Sequence, residues 1–67
     1  MNASRPDFCI ETYNDALEMS DEEIDINIRE NVAFLTANCD WLSTEGVQTV
    51  AKEMRAFRFA RADRAAH

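Results

Sequence analysis

The chain has 67 residues, thirteen acidic against seven basic, a net charge of −6, two cysteines, one histidine and one glycine. A single domain of this size barely buries enough apolar surface to offset its conformational entropy, so a staple is expected: metal, disulfide or a second copy. Metal is disfavoured, because His67 is terminal and Cys9 and Cys39 stand far apart with no further ligand pattern.

The opening MNASRPDFC lacks the basic and then apolar regions of a secretory signal. The expected compartment is therefore the cytoplasm, with reduced thiols and no disulfide. No apolar run approaches the ~20 residues of a membrane span. Oligomerisation remains as the staple. The charge is also divided: residues 1–45 hold eleven acids against Arg5 and Arg29, whereas residues 46–67 hold Lys52, Arg55, Arg58, Arg61 and Arg64 against Glu53 and Asp63.

Residues 1–19 read as an N-terminal arm. Pro6 after Arg5 suits an extended lead-in or a first helical turn, with Ser4 or Asp7 as cap. Ile10, Tyr13 and Leu17 recur at three and four residues, so a short helix over residues 7–19 is expected. Such a helix is marginal alone, and it folds only if Phe8, Ile10, Tyr13 and Leu17 dock on the rest.

Residues 20–67 read as a helical hairpin organised around a first helix over about 21–42. Ser20 and Glu23 form a capping-box signature, and Asp21, Glu22 and Glu23 suit the positive end of the helix dipole. Ile24, Ile28, Val32, Leu35, Cys39 and Leu42 lie on one side of a 3.6-residue helix, with Cys39 read as a small core residue. Ser43 or Thr44 caps a second helix over about 44–64, whose stripe is Val47, Val50, Met54, Phe57 and Arg61. The link is short, and both helices are roughly 30 Å long at ~1.5 Å per residue, so they fold back antiparallel. Asp21, Glu22, Glu23 and Asp25 then meet Arg58, Arg61 and Arg64.

One seam cannot hide all the apolar surface. Phe34 and Trp41, seven residues apart with Ile26 and Ala37 nearby, lie well round from the seam. A homodimer in a four-helix arrangement would cover them, which makes the expected fold class all-α: a hairpin with a short arm, paired with its copy.

Catalysis finds little support: no histidine lies inside the fold, and neither a Gly-rich phosphate loop nor a nucleophile set is present. The acids at 21–25 read as capping, without the spacing of a calcium loop. The protein is read as a non-enzyme without cofactor or metal. Arg55, Arg58, Arg61 and Arg64 drift by about −60° per step around the helix, and the acidic remainder repels phosphates, so pairing with the acidic half is favoured over nucleic-acid contact. Phe59 points away from Val50, Met54 and Phe57 and is framed by Lys52 and Arg55, as in protein-binding hot spots. The alternatives are that the arm around Tyr13 and Leu17 covers it or that the helix end frays. Trp41 divides between dimer core and partner contact.

In size, acidity and hairpin layout, residues 20–64 resemble the small phage- and plasmid-encoded proteins that attach to host proteins and switch them off. Among these the chain looks most like phage anti-activators of bacterial quorum-sensing transcription factors. The resemblance implies antagonism of a host regulator in a bacterial cytoplasm, with anti-CRISPR action as a variant. The rival expectation is a small nucleic-acid-associated regulator using the basic second helix.

Overall fold

A computed structural model describes residues 5–66, and all regular structure among them is helical: α1 Ile10–Ala16, α2 Asp21–Asn38 and α3 Thr44–Ala65. Ser20 accepts from the Glu23 amide while the Glu23 carboxylate accepts from the Ser20 amide, closing the capping box that starts α2. Ser43, rather than Thr44, caps α3, its hydroxyl accepting from the Gly46 amide at 3.0 Å. A β-carbon on Gly46 would lie 3.0 Å from Leu42 Cδ2, so glycine lets Leu42 close over the start of this helix.

Two boundaries differ from the sequence expectation. The first long helix ends at Asn38, not near residue 42. Asn38, Cys39 and Asp40 are weak helix formers, and the Asn38 carbonyl accepts from the amides of both Trp41 and Leu42, which turns the chain. Ser43 then takes the extended backbone that a cap requires. The first helix is also shorter than residues 7–19. Cys9 precedes it without a side-chain cap bond, and Asp7 is not the cap: its carboxylate and carbonyl both go to α3. Ser4, the other candidate cap, and His67 lie outside the described residues.

The organising element is α3 instead of α2. Both α1 and α2 pack on it and make little contact with each other. Among the described residues the buried side chains are Ala16, Ile24, Ala56, Phe57 and Ala60, and Tyr13, Met19 and Ile28 pack against all of these but Ala56. Three of the five are alanines, which suits close helix approach but supplies little apolar area. The arm docks by Phe8, Tyr13 and Ala16, whereas Ile10 and Leu17, expected to dock, are exposed. That face follows the backbone bond from the Cys9 amide to the Lys52 carbonyl, which orients α1 on α3.

Arg61 donates to the Asp21 carbonyl and to the Asp25 carboxylate, and Arg64 donates to the Asp21 carboxylate at 3.1 Å. The start of α2 thus lies beside the end of α3, and each charge sits at its favourable dipole end. Ion pairs this exposed contribute only ~0–1 kcal/mol each, so they select direction more than they stabilise.

Burial falls along the α2–α3 seam. At the end where α1 also packs, Ile24 and Phe57 are buried; Ile28, Leu35, Leu42, Val50 and Met54 are half-buried; Val32, Cys39 and Val47, toward the turn, are exposed. The molecule is flattened, 40 × 31 × 15 Å, with α1 and α2 both packed against α3. Large apolar residues face water along it, Ile26, Val32, Phe34, Trp41 and Val47 among them.

Candidate functional site

Two surfaces carry the side chains that the sequence singles out. The first lies on α3, on the face away from α2. Phe59 projects there between Lys52, Arg55 and Asp63, one and two turns apart along the helix. It is not open: the extended segment before α1 lies across it. Phe8 meets Phe59 edge to face, centroids 5.2 Å apart at 80°, and Phe8 also packs on Tyr13 at 5.4 Å. An aromatic pair of this geometry is worth ~0.5–1.5 kcal/mol beyond its buried area. The Arg5 guanidinium stacks 4.6 Å above the Phe59 ring and forks onto Asp63 at 2.6 and 3.0 Å.

The remaining polar groups are matched in the same way. Lys52 Nζ lies 3.3 Å from the Asp7 carboxylate, and Arg55 Nε donates to the Asp7 carbonyl at 2.7 Å. The Tyr13 hydroxyl donates to Asp63, a bond that raises the tyrosine pKa above its ordinary value by favouring the protonated phenol. Asp63 raises the pKa of Arg5 as well, chiefly through their hydrogen bonds. Of the four residues assigned from sequence to a partner surface, Phe59, Arg55 and Lys52 are therefore together and engaged by the chain's own arm. Their partners Arg5, Asp7, Phe8 and Asp63 were not picked out as site residues. The available signal was charge: Arg5 stands alone in an acidic stretch, and Asp63 alone in a basic one.

Trp41, the fourth, is 68% exposed at the other end of the molecule, in the turn between α2 and α3. Its indole N–H donates to Asn38 Oδ1 at 2.7 Å, so the ring's one polar atom is satisfied internally and what it presents outward is apolar. Ile26, Phe34, Val32 and Val47 are also large and exposed. On a 100° wheel Ile26 lies opposite Ile24 and Leu35, and Phe34 lies about a right angle round from them; Val32 and Val47 lie at the open end of the seam.

No family model, no curated protein and no solved structure matches the chain. No cavity forms among the described residues, no group of three or more potential metal ligands gathers there, and no helix is long and apolar enough to cross a membrane. Along α3, Lys52, Arg55, Arg61 and Arg64 each contact an acidic residue of the arm or of α2.

Proposed function

We propose that the protein is a non-enzymatic binding module that works by attaching to another protein. Its body is the antiparallel hairpin of α2 and α3, and its contact surface is the turn carrying Trp41. The observation that carries this reading is the state of Trp41. A large aromatic ring exposed on a small domain, its N–H already bonded within the chain, gains by burial against an apolar partner and has no polar group to satisfy there.

A second copy belongs to the same reading. Ile26 and Phe34, exposed on α2 away from the seam, provide an apolar face that a copy covers, giving the homodimeric four-helix arrangement. The protein attached to is a host regulator, inhibited by the attachment, as the resemblance to phage anti-activators implies; an anti-CRISPR-type target would make the same demand on the surface. This reading is favoured over nucleic-acid contact because three of the five α3 cations, Lys52, Arg61 and Arg64, pair with carboxylates of the same chain.

The test pairs two variants. Phe34→Asp is expected to give the monomer mass in sedimentation while keeping helicity. Trp41→Ala is expected to keep the dimer mass while weakening attachment to a purified quorum-sensing regulator by ~2 kcal/mol or more. Wild-type protein that sediments as a monomer at high micromolar concentration removes the dimer. Unchanged attachment by Trp41→Ala removes the turn as the contact.

A further inference from the structure

The arm that covers Phe59 is bound in the manner of a peptide ligand. Residues 5–9 have no regular secondary structure, and they are held on α3 by one main-chain bond, Cys9 N–H to the Lys52 carbonyl at 3.3 Å, and by the side chains of Arg5, Asp7 and Phe8. Arg5 pairs with Asp63 and stacks on Phe59; Pro6 keeps the backbone extended; Asp7 is clamped between Lys52 and Arg55; Phe8 fits the edge of Phe59. Recognition is by order: a cation, an acid two residues on, an aromatic next. The receptor is a rigid helix presenting the complementary series acid, aromatic, cations, with Tyr13 fixing the carboxylate from the side.

We propose that this face of α3 is a docking site for an extended protein segment of the pattern Arg-x-Asp-Phe, occupied in cis by the arm and opened to a partner's segment when the arm is displaced. The ionic contacts that hold the arm are exposed, with Arg5 and Lys52 side chains 42% and 43% accessible, so they exchange with water and with a competitor readily. The cis arm competes through its high effective concentration, which sets a threshold: a lone motif binds poorly, and a partner that also engages another surface of the molecule prevails. The site is distinct from the Trp41 surface and does not depend on it.

The probe is the acetylated, amidated peptide Arg-Pro-Asp-Phe, added to the full chain and followed by amide NMR shifts of Lys52, Arg55, Phe59 and Asp63. Phe8→Ala, which weakens the cis arm, is expected to show saturable shifts at these residues. Wild type is expected to bind the peptide at least about tenfold more weakly, and the reordered peptide Asp-Phe-Arg-Pro should leave both unmoved. Should Phe8→Ala lose helicity, Arg5→Ala replaces it, since it removes only exposed contacts, and the same outcomes apply. Equal binding by wild type and variant, or none by a fully helical variant, overturns the proposal. A wild-type dimer that dissociates on Phe8→Ala also overturns it, by assigning the site to the arm of a second copy.

Discussion

Tyr13 and Trp41 are each the only residue of their type, so each can be followed alone. Tyr13 sits between the Asp63 carboxylate, which raises its pKa, and Arg5, which opposes that shift more weakly. A group whose pKa is higher in the folded than in the unfolded state contributes stability below its unfolded value and loses it as pH rises through the folded one. The bond to Asp63 should accordingly persist through neutral pH and be lost above the ordinary tyrosine range, about 10. Tyrosinate absorbance should titrate above a model tyrosine, and the stability difference between wild type and Tyr13→Phe should shrink as the phenol ionises. A midpoint at or below that of free tyrosine would show that the contact with Asp63 is absent in solution. For Trp41, fluorescence quenching by iodide is expected to approach that of a free indole in dilute protein and to fall on self-association only if the ring belongs to the dimer contact.

At the scale of the element, the two long helices are started by serines whose hydroxyls satisfy amides of the first turn. Ser20→Ala and Ser43→Ala should each cost about 1 kcal/mol in urea unfolding, because each removes the hydroxyl that accepts from a first-turn amide; the bond from the residue-20 amide to Glu23 survives the first change. The arm is a different case: besides its apolar contacts, the segment before α1 is held on α3 by charges at the surface. Its Cys9 amide, bonded to the Lys52 carbonyl, reports docking directly. Raising salt to ~1 M, where screening acts over ~3 Å, should speed hydrogen exchange at Cys9 while leaving Ile24 protected. Equal slowing or speeding at both would mean that the arm and the α2–α3 seam open as one unit.

For the whole molecule the gradient of burial along the seam is the decisive feature. Ile24→Ala should cost ~2–5 kcal/mol in any oligomeric state, since Ile24 is fully buried within one chain. Leu35 is only half-buried in the single chain, so Leu35→Ala should cost clearly less at dilution. If a second copy covers the open end of the seam, the Leu35 cost should rise with protein concentration toward that of Ile24, because folding is then linked to association. A concentration-independent difference between the two would argue for a monomer.

Much of the local structure was determined by the sequence alone. Ser20 with Glu23, Ser43 before Gly46, and apolar residues at three and four spacing specify two long helices and a short link, because caps and periodicity act over a few residues. The acidic start of α2 and the basic end of α3 likewise indicate which ends meet, as Arg61 and Arg64 do on Asp21 and Asp25. What only the tertiary structure decided is the use made of α3's other face. Periodicity reports that a helix has an apolar side, but Phe59 lies off that side, and whether it meets solvent depends on where a seven-residue helix and its lead-in come to rest. The contacts that bring Arg5 to Asp63 and Phe8 to Phe59 join residues more than fifty positions apart, and no local pattern encodes them. The end of α2 at Asn38 was also hidden, because the seam spacing continues through Cys39 and Leu42 although the backbone has already turned.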